Sequence, residues 1–135
     1  MNELMNNVSW LAVLVGFILS YLLGWLWYSP KLFGPTWAQG VAISMAEGSE
    51  LPKAAMITQA LATLGLSWVF AITVSNGAFA TIALIMTTLM LFIISNGKYA
   101  QKSNAAVSIE ASYIAAMGVV MLVCQLIFID GLGKR

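Results

Sequence analysis

The acid set inside an otherwise apolar stretch is Glu110, in the run SIEASYIAAMG, and Tyr113 follows it three residues later. On a helix that spacing puts both side chains on one face. A carboxylate in a low-dielectric setting either finds a cation or hydrogen-bond donor, or its affinity for a proton rises. Glu110 is therefore a candidate proton or ligand site, with Tyr113 sharing its pocket. The competing reading is an interfacial anchor paired with Lys98 or Lys102. A second polar set comprises Gln59, Thr63 and Ser67, which continue every four residues through Ala71 to Ser75. Polar groups facing lipid are disfavoured, so this stripe should look into a helix bundle, a subunit interface or a wet cavity. It serves either as interhelical hydrogen-bonding glue or as the wall of a polar path. Thr81, Thr88 and Ser95 recur every seven residues as a weaker version of the same pattern.

The usual catalytic constellations are missing. The sequence has no histidine, one cysteine (Cys124), and no GxSxG, HExxH or Walker motif. An enzyme is not expected on that basis, nor is a zinc or haem site, any other metal or any cofactor. The net charge of +1 and the scattered lysines argue against a nucleic-acid partner.

The elements that must position these residues follow from composition. Of 135 residues 61% are hydrophobic and 8% charged, against about 25% charged in soluble domains. The mean hydropathy is +0.91. Such a chain cannot cover its surface in water and reads as a membrane protein. A bilayer core takes roughly 20 apolar residues of helix, and four stretches qualify, at about 8–28, 54–75, 78–94 and 105–129. Pro52 suits a helix's first turn, and Ser75-Asn76-Gly77 is short enough to force a tight hairpin. Ser103-Asn104 can cap the fourth helix, and Asp130-Gly131 is its expected stop. The N-terminus lacks the basic region and cleavage pattern of a signal peptide, so the first stretch is expected to remain as a span. The expectation is an all-α, four-helix transmembrane bundle, one integral membrane domain over 1–135, with no internal repeat.

Lys31, Lys53, Lys98 and Lys102 fall in the first and third connections, with Lys134 and Arg135 opposite. Counting positive charges places those connections in the cytoplasm and both termini outside. Between the first two spans, residues 30–46 are longer than a loop requires. Gly34-Pro35 can start a short helix, with Trp37, Val41 and Met45 on one face and Glu47 to Glu50 as its solvated end. The span before it ends in WLWYSPKLFGPTW, from Trp25 to Trp37. Trp25, Trp27 and Tyr28 belong at headgroup level, and Ser29-Pro30 turns the chain. Lys31 can snorkel to phosphate while Phe33 and Trp37, flanking Gly34, dip toward the acyl chains. This is a membrane-surface elbow and lipid anchor, compact enough to grip one headgroup or a small anion.

Along the first span, Ala12, Gly16, Ser20 and Gly24 form a groove of small residues every four positions. Such grooves let helix backbones approach closely. Whether the partner is in the same chain or a neighbouring copy stays open at this point. Met86, Met90, Met117 and Met121 suit irregular gaps between helices.

The elements WYSPKLFG (Trp27 to Gly34), Trp37 behind it, and the acid and tyrosine three apart early in the last span together resemble the domain of unknown function 1761 family, over essentially the whole chain. This chain carries Glu110 and Ser112 where that family more often has aspartate and glycine. The resemblance implies a small bacterial four-helix membrane bundle, hence the bacterial cytoplasmic membrane, and implies no activity. Two functions are then in play. One is a non-enzymatic homo-oligomer with an assembly role, or one binding lipid or another membrane protein. The other is a small transporter or channel using Glu110 and the Gln59 stripe for a proton, ion or small molecule.

Overall fold

The computed structural model describes residues 8–41 and 53–133, the last five of these as backbone only. Five helices are described: α1 (Trp10–Trp27), α2 (Gly34–Gly40), α3 (Lys53–Ser75), α4 (Phe79–Tyr99) and α5 (Asn104–Gly133). All but α2 are long and apolar enough to cross a membrane. The fold is thus all-helical, four long apolar helices with one short helix between the first two. Met45, Glu47 to Glu50, Pro52, Lys134 and Arg135 lie outside the described residues.

Local chemistry sets the helix ends. Ser9 caps α1, its Oγ accepting from the Ala12 amide at 3.2 Å. α2 begins with Pro35 in its first turn, as its fixed φ favours. Ser103 caps α5 by accepting from the Ala106 amide at 3.0 Å. Both helical hairpins close with one motif, in which the two residues past the helix cap donate back into the last turn. After α3, Gly77 donates to Val74 and Ala78 to Thr73, with Gly77 at φ 68°. After α4, Gln101 donates to Lys98 and Lys102 to Gly97, with Gln101 at φ 60°. The left-handed conformation that suits glycine at the first turn is imposed on a glutamine at the second.

The long helices run alternately up and down. Tyr21 of α1 donates to the Met56 carbonyl near the start of α3, and Ser67 reaches the Val13 carbonyl near the start of α1. α5 lies antiparallel to α1, and the core of Phe70, Ile82, Tyr113, Met117 and Met121 sits between α3, α4 and α5. α4 is the least covered long helix; Ile82 and Gly97 are its buried residues.

Two expected helix ends move. The third span runs on past Ile94 to Tyr99, because Gly97 is buried in helical conformation against Val107. α5 continues through Asp130-Gly131 to Gly133. One glycine weakens a helix by about 1 kcal/mol and does not by itself end one. Within the expected interfacial segment 30–46 the short helix is Gly34–Gly40, and residues 42–46 lie outside the described residues.

Candidate functional site at the elbow

The small-residue groove of α1 is filled from within the chain. Ala12, Gly16 and Ser20 are buried and Gly24 half-buried. A Cβ on Gly16 would stand 2.8 Å from the Ser67 Oγ, and one on Gly24 would stand 2.6 Å from the Tyr113 hydroxyl. That hydroxyl donates to the Ser20 carbonyl at 2.8 Å. The open choice between an internal and an external partner for this groove is thus resolved to α3 and α5.

Past Trp27 the chain turns at once. Phe33 donates to the Trp27 carbonyl and Gly34 to the Ser29 carbonyl. Gly34 is buried so tightly against the Tyr28 and Ser29 carbonyls that a side chain there has no room. The turn throws α2 across the head of α5, and the Ser103 amide ties to the Gly40 carbonyl at 3.0 Å.

The elbow's aromatics converge on α5. The Trp27 indole donates to the Ile109 carbonyl at 3.1 Å, and its ring lies 5.0 Å from Phe33 and 6.2 Å from Tyr113. Tyr28 packs edge-on against Trp37 at 5.2 Å and Tyr113 at 5.6 Å, the geometry ring quadrupoles favour. Burial, then the negative charge of Glu110, raises the Tyr28 phenol above the ordinary tyrosine pKa.

At the rim sits Glu110. Its Oε2 accepts from the Trp37 indole at 2.8 Å and from Lys102 Nζ at 2.9 Å, and Lys102 also reaches Oε1 at 3.1 Å. The side chains of Lys102 and Glu110 are 30% and 16% exposed. These three contacts fix the carboxylate in place. It joins α2, the turn after α4 and the first turns of α5, and its chemistry is that of a clamp.

A model of the family described as "Protein of unknown function (DUF1761)" matches residues 11–126. The chain belongs to this family. No curated protein and no solved structure matches it. The DUF1761 match spans every residue of the elbow cluster, from Trp27 through Trp37 to Glu110 and Tyr113.

The structure separates residues that sequence reasoning had grouped. Tyr113 bonds Ser20 rather than Glu110, and Glu110 takes Lys102, while Lys98 donates to Asn104 at 3.2 Å. Trp37 points its indole at Glu110 instead of the acyl chains. Trp25, Pro30, Lys31 and Phe33 are exposed. In the Gln59 stripe, Thr63 and Ser67 are buried and Gln59 is exposed. Thr63 donates to its own helix at Gln59, and Ser67 bonds across to α1. The residue that sequence reasoning left unassigned in this DUF1761 chain is Gln125, fully buried like Ser20 of the groove. The Ser20 Oγ and both amide atoms of Gln125 make no hydrogen bond. Gln125 carried a signal: it is the one carboxamide deep in the last apolar run.

Proposed function

We propose that this DUF1761-family chain is a non-enzymatic multi-pass membrane protein that works by associating with further copies of itself. The observation behind this reading is the outward face of α4. Thr81, Leu84, Thr88, Leu91 and Ser95 are all exposed there, at steps of three and four residues. That is the heptad rhythm of left-handed helix pairs, in which small hydroxyl residues permit close approach. The groove on α1 is already occupied, so α4 is the remaining patterned face. A second copy is the natural occupant because the face carries no charge over these positions and matches itself residue for residue. Lys31, Lys53, Lys98 and Lys102 gather at the end of the bundle that holds α2, which supports placing that end in the cytoplasm of a bacterial cell and the termini outside. The test is disulfide trapping in native membranes, in a Cys124→Ser background. Thr88→Cys and Leu91→Cys should give a cross-linked dimer, and Ile18→Cys on the outer face of α1 should not. Absence of dimer from both α4 variants would sink the reading.

A second reading rests on the orphaned groups at Ser20 and Gln125. Each unpaired buried polar group costs about 1–3 kcal/mol, so a polar species passing between α1, α3 and α5 would satisfy them. Glu110 would then stand at the cytoplasmic mouth. Proton or solute flux into proteoliposomes that is lost in both Gln125→Leu and Glu110→Gln, with the fold intact, would support it. Flux no greater than in protein-free vesicles would dispose of it.

A further inference from the structure

Two fully buried side chains of the bundle are neutral, polar and unpaired. Gln125 and Ser20 are both 0% exposed, and neither the carboxamide of the first nor the hydroxyl of the second makes a hydrogen bond. Register places them on either side of one helix contact. Met121 of α5 lies against Gly16 of α1, its Cα 3.8 Å from where a Gly16 Cβ would stand. Gln125 is one turn past Met121 and Ser20 one turn past Gly16. Because α1 and α5 are antiparallel, those turns lead opposite ways, each by about 6 Å along the bundle axis. We propose that each group holds a resident water molecule, the Gln125 site toward the start of α1 and the Ser20 site toward the elbow.

The chemistry selects the occupant. A carboxamide presents two N–H donors and an acceptor oxygen, and a hydroxyl both gives and takes, so the occupant must do the same. It must also be uncharged. Among the described side chains the one carboxylate is Glu110, engaged by Lys102 at the elbow, and an ion buried without a counter-charge is strongly disfavoured. Full burial of both side chains favours the smallest molecule of this kind, and buried waters commonly satisfy such groups. Other hydroxyls in the core solve the problem by bonding a backbone carbonyl: Thr63 that of Gln59, Ser67 that of Val13 and Tyr113 that of Ser20. Gln125 and Ser20 have no such bond. Between the two sites the packing is closed, since a Cβ on Gly16 would stand 2.8 Å from the Ser67 Oγ and 3.7 Å from the Met121 Cγ. The waters are therefore separate residents and not links in a file. This inference shares its side chains with the second reading above but not its passage, and it holds if nothing crosses the bundle.

The experiment uses the full chain labelled with nitrogen-15 glutamine in detergent micelles. The side-chain amide signal that vanishes in Gln125→Met belongs to Gln125; if that variant does not fold, Gln39→Ala, Gln59→Ala and Gln101→Gly assign it by elimination. In the wild type this signal should show rotating-frame cross-relaxation with a bound water, whereas exposed Gln39 and Gln101 should show contact with bulk solvent alone. Oxygen-17 relaxation dispersion should count one long-lived water fewer in Ser20→Ala, one fewer in Gln125→Met, and the sum of the two losses in the double variant. Absence of cross-relaxation at Gln125, or a water count unchanged in Gln125→Met, overturns that site, and an unchanged count in Ser20→Ala overturns the other. Osmotic shrinkage of wild-type proteoliposomes should be no faster than that of protein-free vesicles. Faster shrinkage overturns the separation of the two waters, while absence of solute flux disposes of the second reading and leaves the water count standing.

Discussion

Gly24 and Tyr113 offer a sharp test of the internal packing between α1 and α5. An alanine at position 24 would place its methyl 2.6 Å from the Tyr113 hydroxyl and 3.0 Å from the Cζ that carries it. The ring is walled by Trp27 and Tyr28, so it has little room to retreat. Overpacking of this kind costs about 1–3 kcal/mol. If the hydroxyl is also pushed off the Ser20 carbonyl, a further 1 kcal/mol or so is lost. Gly24→Ala should therefore cost about 2–4 kcal/mol. Tyr113→Phe alone gives up one hydrogen bond, about 1 kcal/mol. In the Tyr113→Phe background the closest clash is gone and the tighter of the two contacts that remain is 3.0 Å, so Gly24→Ala should cost less by about 1–2 kcal/mol, within the range for residues in contact. The assay is a double-mutant cycle read by tryptophan fluorescence during unfolding of the detergent-solubilised protein. Additivity to within about 0.5 kcal/mol would refute the claim that the groove exists to receive this hydroxyl.

Three further outcomes are expected. Gln101→Gly should stabilise the protein by about 1 kcal/mol, because glycine adopts the left-handed conformation without the steric cost of a Cβ; a loss on chemical denaturation would contradict the hairpin geometry. Glu110→Gln should weaken the hold on α2 by about 1 kcal/mol, the pair being partly exposed, and hydrogen exchange across Gly34–Gly40 should quicken; unchanged exchange would show that the clamp does not hold α2. Burial and the nearby Glu110 hold the folded-state pKa of Tyr28 above the ordinary tyrosine value of about 10. Its contribution to stability is thus complete below pH 10 and lost as pH rises above it. Tyr28→Phe should shrink the alkaline loss of stability, and identical pH profiles would count against burial of that phenol.

Hydropathy made the four long helices legible because each must satisfy the same requirement of length and apolarity, whatever it packs against. The turn signals at Ser75-Asn76-Gly77 and Ser103-Asn104 were equally local. Thr63 and Ser67 were readable as inward-facing because a polar stripe has few places to go in lipid. Pairing was not readable in this way. That Gly24 receives Tyr113, or that Trp37 reaches Glu110 across 73 residues, depends on the relative register of whole helices, and no local pattern encodes it. The ends of α4 and α5 also escaped. Asp130-Gly131 looks like a stop in sequence and the apolar run of the third span ends near Ile94, but tertiary contact at Val107 holds Gly97 in helix. In the Thr81, Thr88 and Ser95 series the spacing was legible and the direction was not, since a periodic face looks the same pointing inward or outward.

The clasp between α1 and α5 works in both directions: Trp27 gives its indole proton to Ile109, and Tyr113 gives its hydroxyl proton to Ser20, across 82 and 93 residues of sequence. Of this pair α1 leaves the ribosome first, and its packing is completed by α5. At about 5–20 residues per second, some 5–20 seconds pass before α5 arrives. Throughout that interval α1 lies in the bilayer with the Ser20 and Gly24 end of its small-residue face uncovered, α3 having reached the Gly16 end first. A truncated nascent chain is therefore the form in which that face is open to a membrane chaperone, an insertase or a second nascent chain, and the finished protein is the form in which it has been closed.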